Sequence, residues 1–126
     1  MTQEDKDLLL KDLCARLPYG VICHYDTIVP MVGKVKSYGR LYNISFFDVK
    51  PCFQFHCNRD IFDFDNVKPY LFPLSSMTEE QKEEWRGIRW SKLPWDELNW
   101  LNKGHWDYRG LIEKGLAIDA TGLNIY

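Results

Sequence analysis

The spacing of apolar and polar positions changes along the chain and divides it into four segments. In the first segment the apolar residues recur at helical spacing: Leu9, Leu10, Leu13, Cys14 and Leu17. Thr2 and Asp5 have the positions of an N-terminal helix cap. The pattern predicts a helix from residue 3 to residue 16, inside a unit of residues 1–17, because Pro18 and Gly20 then interrupt it.

From residue 20 to residue 66 the pattern has a period of two, which is typical of β-strands. Five strands are predicted, over residues 21–25, 28–36, 41–48, 52–57 and 60–64. The connections between them are short, so neighbouring strands should be antiparallel and form a β-meander. Pro30 indicates that the second strand lies at an edge or begins late, and Asn58 with Arg59 is a candidate hairpin turn.

Residues 67–77 combine prolines with large apolar side chains. Such a stretch predicts an extended crossing that packs against the sheet, because a flexible linker would not carry so much apolar surface. The crossing therefore joins the sheet to the C-terminal segment, and residues 1–126 are expected to form a single domain.

The last segment, residues 78–126, is expected to be helical and contains all five tryptophans. A capping box at Thr78 begins one helix, and Pro94 begins a second helix that ends at Gly104. Two leucines of the second helix are expected to face the core: Leu98 and Leu101. Most of the tryptophans should fill the core, and Trp90 is the one expected to be exposed.

These elements predict an α+β fold. It has an N-terminal helix, an antiparallel sheet or small open barrel of about five strands, and C-terminal tryptophan-rich helices packed on it. Small sheets and barrels of this kind carry many unrelated functions, so the fold does not identify an activity.

Charge and composition restrict the setting and the partners. The net charge is −2 at pH 7 with both signs interspersed, which argues against nucleic acid or an anionic membrane as the partner. No apolar run approaches the ~18 residues of a membrane span, and the acidic start is unlike a signal peptide. We therefore expect a soluble cytoplasmic protein.

The four cysteines are expected to remain reduced in such a compartment: Cys14, Cys23, Cys52 and Cys57. Cys52 and His56 would be separated by ~13 Å within a strand, and Cys52 and Cys57 would point to opposite faces. This spacing does not suit a zinc site, and no metal or other cofactor is expected.

Three blocks of the sequence carry a resemblance to other proteins: KDLCARLPYGV at 11–21, VKPYLFPLSSMTEE at 67–80 and WLNKGHWDYRGLIEKGLA at 100–117. They resemble a family of short proteins from gut Bacteroidales and from the phages and mobile elements of these bacteria. The resemblance implies no activity, substrate or catalytic residue. It implies a setting, namely a small accessory protein that a phage or mobile element deploys in the cytoplasm of a bacterial host, for example in counter-defence.

Signatures of enzymes are scarce. The chain has no phosphate-binding Gly-rich loop, no dinucleotide fingerprint, no nucleophile elbow and no metalloprotease motif. Four neighbouring polar residues could be assembled into an acid–base site: His105, Asp107, Tyr108 and Arg109. No nucleophile or orienting partner accompanies them, so we expect that the protein is not an enzyme.

Two stretches combine cations with aromatic rings and are candidate binding surfaces. The first contains Lys34, Lys36, Tyr38 and Arg40, which would share one face of a strand and could meet phosphate oxygens while the ring stacks on a base. The second contains three residues of a helix: Arg86, Arg89 and Trp90. The alternative interpretation is structural, with lysines protecting an edge strand and arginines placed near a helix C-terminus.

Two functions fit these surfaces. One is non-catalytic sequestration of a nucleotide-type, phosphate-bearing signal, cyclic or linear. The other is binding and blocking of a host protein through the tryptophan-rich helices, because Trp, Tyr and Arg are frequent interface anchors. A symmetric homodimer would bury surplus aromatic surface in either case.

Overall fold

The computed structural model describes residues 1–48, 50–56, 59–61, 64–90 and 93–126. Its helices are α1 (Gln3–Arg16), α2 (Glu79–Trp90) and α3 (Pro94–Lys103), and its strands are β1 (Ile22–Val29), β2 (Gly33–Phe47), β3 (Lys50–Phe55), β4 (Arg59–Ile61), β5 (Val67–Pro73), β6 (Trp106–Asp107) and β7 (Ile118–Asp119). The expected α+β class is confirmed. The arguments from Cys57 and Asn58 concern residues outside the described ranges.

Helix α1 has the predicted bounds because its cap is encoded locally. Thr2 Oγ1 accepts a hydrogen bond from the Asp5 amide at 3.1 Å, and the Asp5 carboxylate accepts one from the Thr2 amide at 3.4 Å. Leu9 and Leu13 are fully buried against the sheet. The expected apolar face is wrong at Cys14, which is exposed.

The predicted division of the first strands is wrong. β1 runs on through Asp26 and Thr27, the chain turns at residues 30–32, and β2 then extends without a break through residues 37–40. The first half of β2 pairs with β1 and the second half pairs with β3, with a bulge between Leu41 and Asn43. One bent strand, β2, therefore takes the place of the two strands predicted at residues 28–36 and 41–48. Pro30 lies before β2, which begins late, as expected.

The stretch predicted as a crossing contains a central strand. β5 pairs antiparallel with β1, so that Cys23 lies opposite Pro69 and Tyr25 lies opposite Val67. Pro69 is compatible with this position because a proline costs the ladder only one donor. Val67 and Leu71 of this strand lie in the core beneath α1, whereas Tyr70 and Phe72 pack in a second cluster.

The described strands form one sheet in the order β4-β3-β2-β1-β5-β6, and β7 also pairs with β5. β1 to β4 form the predicted antiparallel meander, and β5 adds to β1 in antiparallel orientation. β6 and β7 join β5 in parallel, so the sheet is mixed. α1 lies on the inner face, where its leucines meet Tyr25, Phe53 and Phe55 in the main core. The Tyr25 and Phe55 rings stack at 4.5 Å.

Helices α2 and α3 begin at the predicted caps. Gln81 accepts a hydrogen bond from the Thr78 amide at 2.8 Å, and Thr78 Oγ1 accepts one from the Gln81 amide at 3.2 Å. Leu101 is buried as expected, but the expectation for Leu98 is wrong, since it is 46% exposed. After Lys103 the chain forms turns and the short strands β6 and β7, where continued helix had been expected. None of the described helices has both the length and the apolar character that a bilayer crossing requires.

Candidate anion-binding cleft

The outer face of β2 carries the first predicted group of site residues. Lys34, Lys36, Tyr38 and Arg40 alternate with more buried neighbours and are all exposed on one face, as the strand pattern implied. Six residues separate the first cation from the last, which is ~20 Å along a strand. The row is therefore too long for all of its cations to bind one phosphate group.

The lysine end of this row is partly neutralised. Asp26 of β1 lies opposite Lys36 in the sheet, and its carboxylate is 3.4 Å from the Lys34 ammonium and 3.4 Å from His24 Nε2. The Tyr38 ring packs edge-on against Tyr70 of β5, with centroids 6.4 Å apart. This part of the row forms cross-strand pairs that stabilise the sheet.

The arginine end of the row opens into a cleft of about 500 Å³, which we call the cationic cleft. Its polar and aromatic lining consists of Tyr19, Gly20, Arg40, Tyr42, His56 and Lys103, backed by Leu17, Pro18 and Leu41. These residues come from the turn after α1, from β2, from the end of β3 and from the end of α3. Neither His56 nor Lys103 belonged to the predicted site.

Backbone contacts determine the position of Arg40 and His56. The His56 amide donates a hydrogen bond to the Arg40 carbonyl at 3.1 Å, and the His56 ring packs on Tyr42 with centroids 5.1 Å apart. Gly20 has φ +69°, and a Cβ atom there would lie 3.2 Å from Arg40 Nε. The Arg40 side chain thus packs directly on the backbone of Gly20, in space that a side chain at position 20 would occupy.

The cationic cleft has the electrostatic character of an anion site. Arg40 and Lys103 are exposed, and no described carboxylate lines the cleft or forms an ion pair with either cation. A guanidinium offers a planar fork of donors for phosphate or carboxylate oxygens, and an ammonium offers a compact charge. The two tyrosines and the histidine add further donors and flat ring surfaces.

The second predicted group lies elsewhere, on α2, beside a separate hollow of about 290 Å³. Arg86 forms an ion pair with Glu83, and Arg89 lies over the Trp85 ring with its Nε 3.7 Å from Glu97. Both arginines therefore have side-chain partners within the protein. Trp90 is 81% exposed, as expected.

Another cleft lies between α2, α3 and the segment near residue 121, and has a volume of about 580 Å³. We call it the indole cleft, and its lining includes Phe72, Gln81, Glu84, Trp100, Lys103 and Trp106. The Trp100 and Trp106 rings are nearly parallel, 6.2 Å apart, and Trp100 Nε1 donates a hydrogen bond to Glu84 at 3.0 Å. Lys103 lines both this cleft and the cationic cleft.

Three of the four residues considered as an acid–base site belong to a cluster around a buried ion pair: Asp107, Tyr108 and Arg109. Asp107 accepts hydrogen bonds from the Leu111 and Ile112 amides at 2.9 and 3.0 Å. The Tyr108 ring lies between two guanidiniums, with Arg109 4.6 Å and Arg16 5.2 Å from its centroid. Arg109 also lies 3.7 Å from the Asp12 carboxylate, and the fourth residue, His105, stacks on Tyr126.

Arg16 and Asp12 of α1 are the centre of that cluster, and both are fully buried. Arg16 donates to the Asp12 carboxylate at 2.8 Å and to the Trp106 carbonyl at 2.6 Å. Burial raises the pKa of Asp12 despite the opposing effect of the Arg16 charge. The burial of this pair could not be predicted from the sequence, because charged residues four apart on a helix usually face solvent.

Comparison of the chain with protein-family models, with curated proteins and with solved structures finds no match in any of the three.

Proposed function

We propose that this chain is a non-catalytic binder of a phosphate-bearing small molecule of the nucleotide type, and that the phosphate binds in the cationic cleft. The observation that carries the proposal is the meeting of Arg40, Lys103 and His56 in one cleft without a carboxylate among its described lining residues. Its volume of about 500 Å³ falls within the usual range of small-molecule sites.

Arg40 has the central role in this proposal. Its position over Gly20 orients the guanidinium before a ligand arrives, which reduces the side-chain entropy lost on binding. Lys103 and His56 would contact the remaining phosphate oxygens, and Tyr19 and Tyr42 would supply hydroxyl groups and ring surfaces. The predicted contribution of Lys34 and Lys36 is small, because Asp26 lies beside both of them.

A protein of this kind acts by lowering the free concentration of its ligand. Sequestration of a nucleotide signal would suit a small accessory protein of a phage or mobile element, the setting that the sequence resemblance implies. Cyclic and linear nucleotides are therefore the first compounds to test.

The decisive experiment compares two charge reversals on the same strand. Arg40→Glu removes the central cation of the cleft, whereas Lys34→Glu makes the same change in charge ~20 Å away, beyond the Debye length of ~8 Å at physiological salt. Titration calorimetry with inorganic tripolyphosphate and with a nucleotide panel measures the affinities. Native mass spectrometry of the purified protein identifies any ligand that it retains.

Loss of charge-assisted hydrogen bonds worth ~1.5–3 kcal/mol predicts an affinity about 10- to 150-fold lower for Arg40→Glu. Lys34→Glu should remain within about twofold of the unaltered protein, because its charge is screened. Equal effects of the two reversals, or none, would refute the cleft assignment.

A second function rests on a different observation, the exposed apolar side chains at the ends of α2 and α3. These residues are Trp90 (81% exposed), Leu93 (42%), Trp95 (61%) and Leu98 (46%). Two exposed indoles beside Arg86 and Arg89 have the composition of an interface core. They support binding of a host protein or of a second copy of the chain through the tryptophan-rich helices.

The two functions respond to different substitutions. A protein partner or a dimer should be lost in the double variant Trp90→Ala and Trp95→Ala and retained in Arg40→Glu, whereas phosphate binding should show the reverse. Sedimentation velocity detects the dimer, and pull-down with each variant detects the partner. If the variant with both Trp90→Ala and Trp95→Ala retains every complex, the interface proposal is wrong.

A further inference from the structure

The two clefts share one lining residue, Lys103, at the end of α3. Lys103 lines the cationic cleft together with Arg40 and also lines the indole cleft together with Trp100 and Trp106. A ligand with a phosphate at one end could therefore extend past Lys103 into the indole cleft. The volume of about 580 Å³ is sufficient for a group the size of a nucleobase.

The walls of the indole cleft are aromatic and fixed in position. Trp106 is buried, and it packs against Trp100 on one side and against Phe72, at 5.7 Å, on the other. Gly104 has no side chain, and a Cβ atom there would lie 2.7 Å from Trp106 Cδ1 and closer still to Trp106 Nε1. Rigid rings beside an open space form a stacking surface that requires little ordering when a flat group binds.

One acidic group faces this aromatic cleft. Glu84 is exposed, and one of its carboxylate oxygens holds the Trp100 indole N–H, so the carboxylate has a defined place. A carboxylate has about four acceptor positions, so it can accept further hydrogen bonds but cannot donate any. A ligand group beside it must therefore present a donor, either N–H or O–H.

Resting on the proposed function, we infer that the indole cleft is the second half of the same ligand site and takes an amino-bearing nucleobase. The base stacks on Trp100, its exocyclic amino group donates to Glu84, and Lys103 lies between the base and the phosphate. The site then favours adenine or cytosine nucleotides over uracil nucleotides, whose exocyclic groups only accept.

The test measures four probes on the intact protein: adenosine triphosphate, uridine triphosphate, inorganic tripolyphosphate and adenosine. Base stacking on an aromatic ring predicts that adenosine triphosphate binds about tenfold or more tightly than tripolyphosphate. Trp100→Leu should remove that advantage and leave the affinity for tripolyphosphate within about twofold, since the phosphate contacts are unaltered. Trp95→Leu, on the same helix but outside the cleft, is the matched control.

Glu84→Gln tests the hydrogen bond between the base and Glu84 without removing the stacking surface. The amide keeps one acceptor and gains donors, so the preference for adenosine triphosphate over uridine triphosphate should fall about fivefold or more while both still bind. Thermal melts establish that each variant is folded. If Trp100→Leu fails to fold, Trp100→Phe, which keeps a smaller ring, should show an intermediate loss.

The outcomes separate this inference from the proposed function. If adenosine triphosphate and tripolyphosphate bind equally to the unaltered protein, the base site is wrong and the phosphate site stands. If adenosine binds and tripolyphosphate does not, the phosphate site is wrong. An equal preference for both bases in the unaltered protein would overturn the role of Glu84.

Discussion

The imidazole of His105 lies flat against the phenol ring of Tyr126, with centroids 3.7 Å apart and ring planes 12° apart. His105 is only 9% exposed and has a left-handed backbone, with φ 61°. Burial lowers the pKa of His105 to about 4, assisted by the positive charges of Arg16 and Arg40. The stacked pair therefore contains a neutral imidazole at neutral pH.

This lowered pKa predicts acid sensitivity. Because the folded-state pKa of about 4 lies below the unfolded value of about 6.5, the folded state binds fewer protons. The stabilisation is complete above pH 6.5 and is lost as the pH falls from 6.5 towards 4. Urea titrations should show a loss of ~2 kcal/mol from this group at pH 4.5.

His105→Asn isolates this effect, because asparagine does not titrate and tolerates a positive φ. Asp12 acts in the opposite direction, since its raised pKa favours the folded state as the pH falls. The difference in acid sensitivity between the unaltered protein and the variant is therefore the quantity to measure. Parallel pH profiles for the two proteins would contradict the prediction.

Tyr126→Phe should destabilise the fold by ~1–3 kcal/mol in chemical denaturation. The Tyr126 hydroxyl accepts a hydrogen bond from the Ile22 amide at 2.9 Å and donates to the Tyr70 carbonyl at 2.8 Å. Removing it leaves these partly buried backbone groups unpaired. Tyr38→Phe is the control, because that ring is 61% exposed and its change should stay within ~0.5 kcal/mol.

Asp12→Ala should destabilise the protein by ~3–5 kcal/mol, because it leaves the fully buried Arg16 guanidinium without its counter-charge. The double variant Asp12→Leu with Arg16→Met replaces both charges by apolar groups and should be more stable than the single variant. Guanidinium titrations of the three proteins measure the difference. A double variant less stable than Asp12→Ala would show that the ion pair itself stabilises the fold.

Gly104→Ala and Gly87→Ala should have opposite effects. At Gly104 a Cβ atom would collide with Trp106, so we expect a loss of ~1–3 kcal/mol and a shift in tryptophan fluorescence. At Gly87, inside α2, a Cβ atom meets nothing within 4 Å, and alanine should stabilise the helix by ~0.5–1 kcal/mol. Thermal melts of both variants provide the comparison, and equal signs would contradict this account of Gly104.

Parts of the fold could be predicted because their causes lie within a few residues. The capping boxes at Thr2 and Thr78, and Pro94 with Gly104, mark helix ends that the structure places at the same positions. Pairing of the strands could not be predicted in the same way. The stretch 37–40 has the composition of a turn, yet it continues β2 because β1 supplies its partners, from Tyr25 opposite Ser37 to Ile22 opposite Arg40.

The same distinction applies to the residues of the candidate site, because some had a local sequence signal and others had none. Arg40 was identified from its strand spacing, and so was the common face of Lys34, Lys36 and Tyr38. His56 and Lys103 carried no local signal, because each is an isolated residue at the end of an element. Their approach to Arg40 depends on the β2–β3 pairing and on the packing of α3.

Caps and periodicity act over short distances, so the sequence alone predicts the α+β class, the starts of three helices and the shared face of four residues on β2. Which charges lie near these cations depends on the tertiary structure. Asp26 reaches Lys34 through strand pairing, whereas Arg40 meets Lys103 in a cleft built from distant segments. Long-range contacts select one arrangement among many that the local pattern allows.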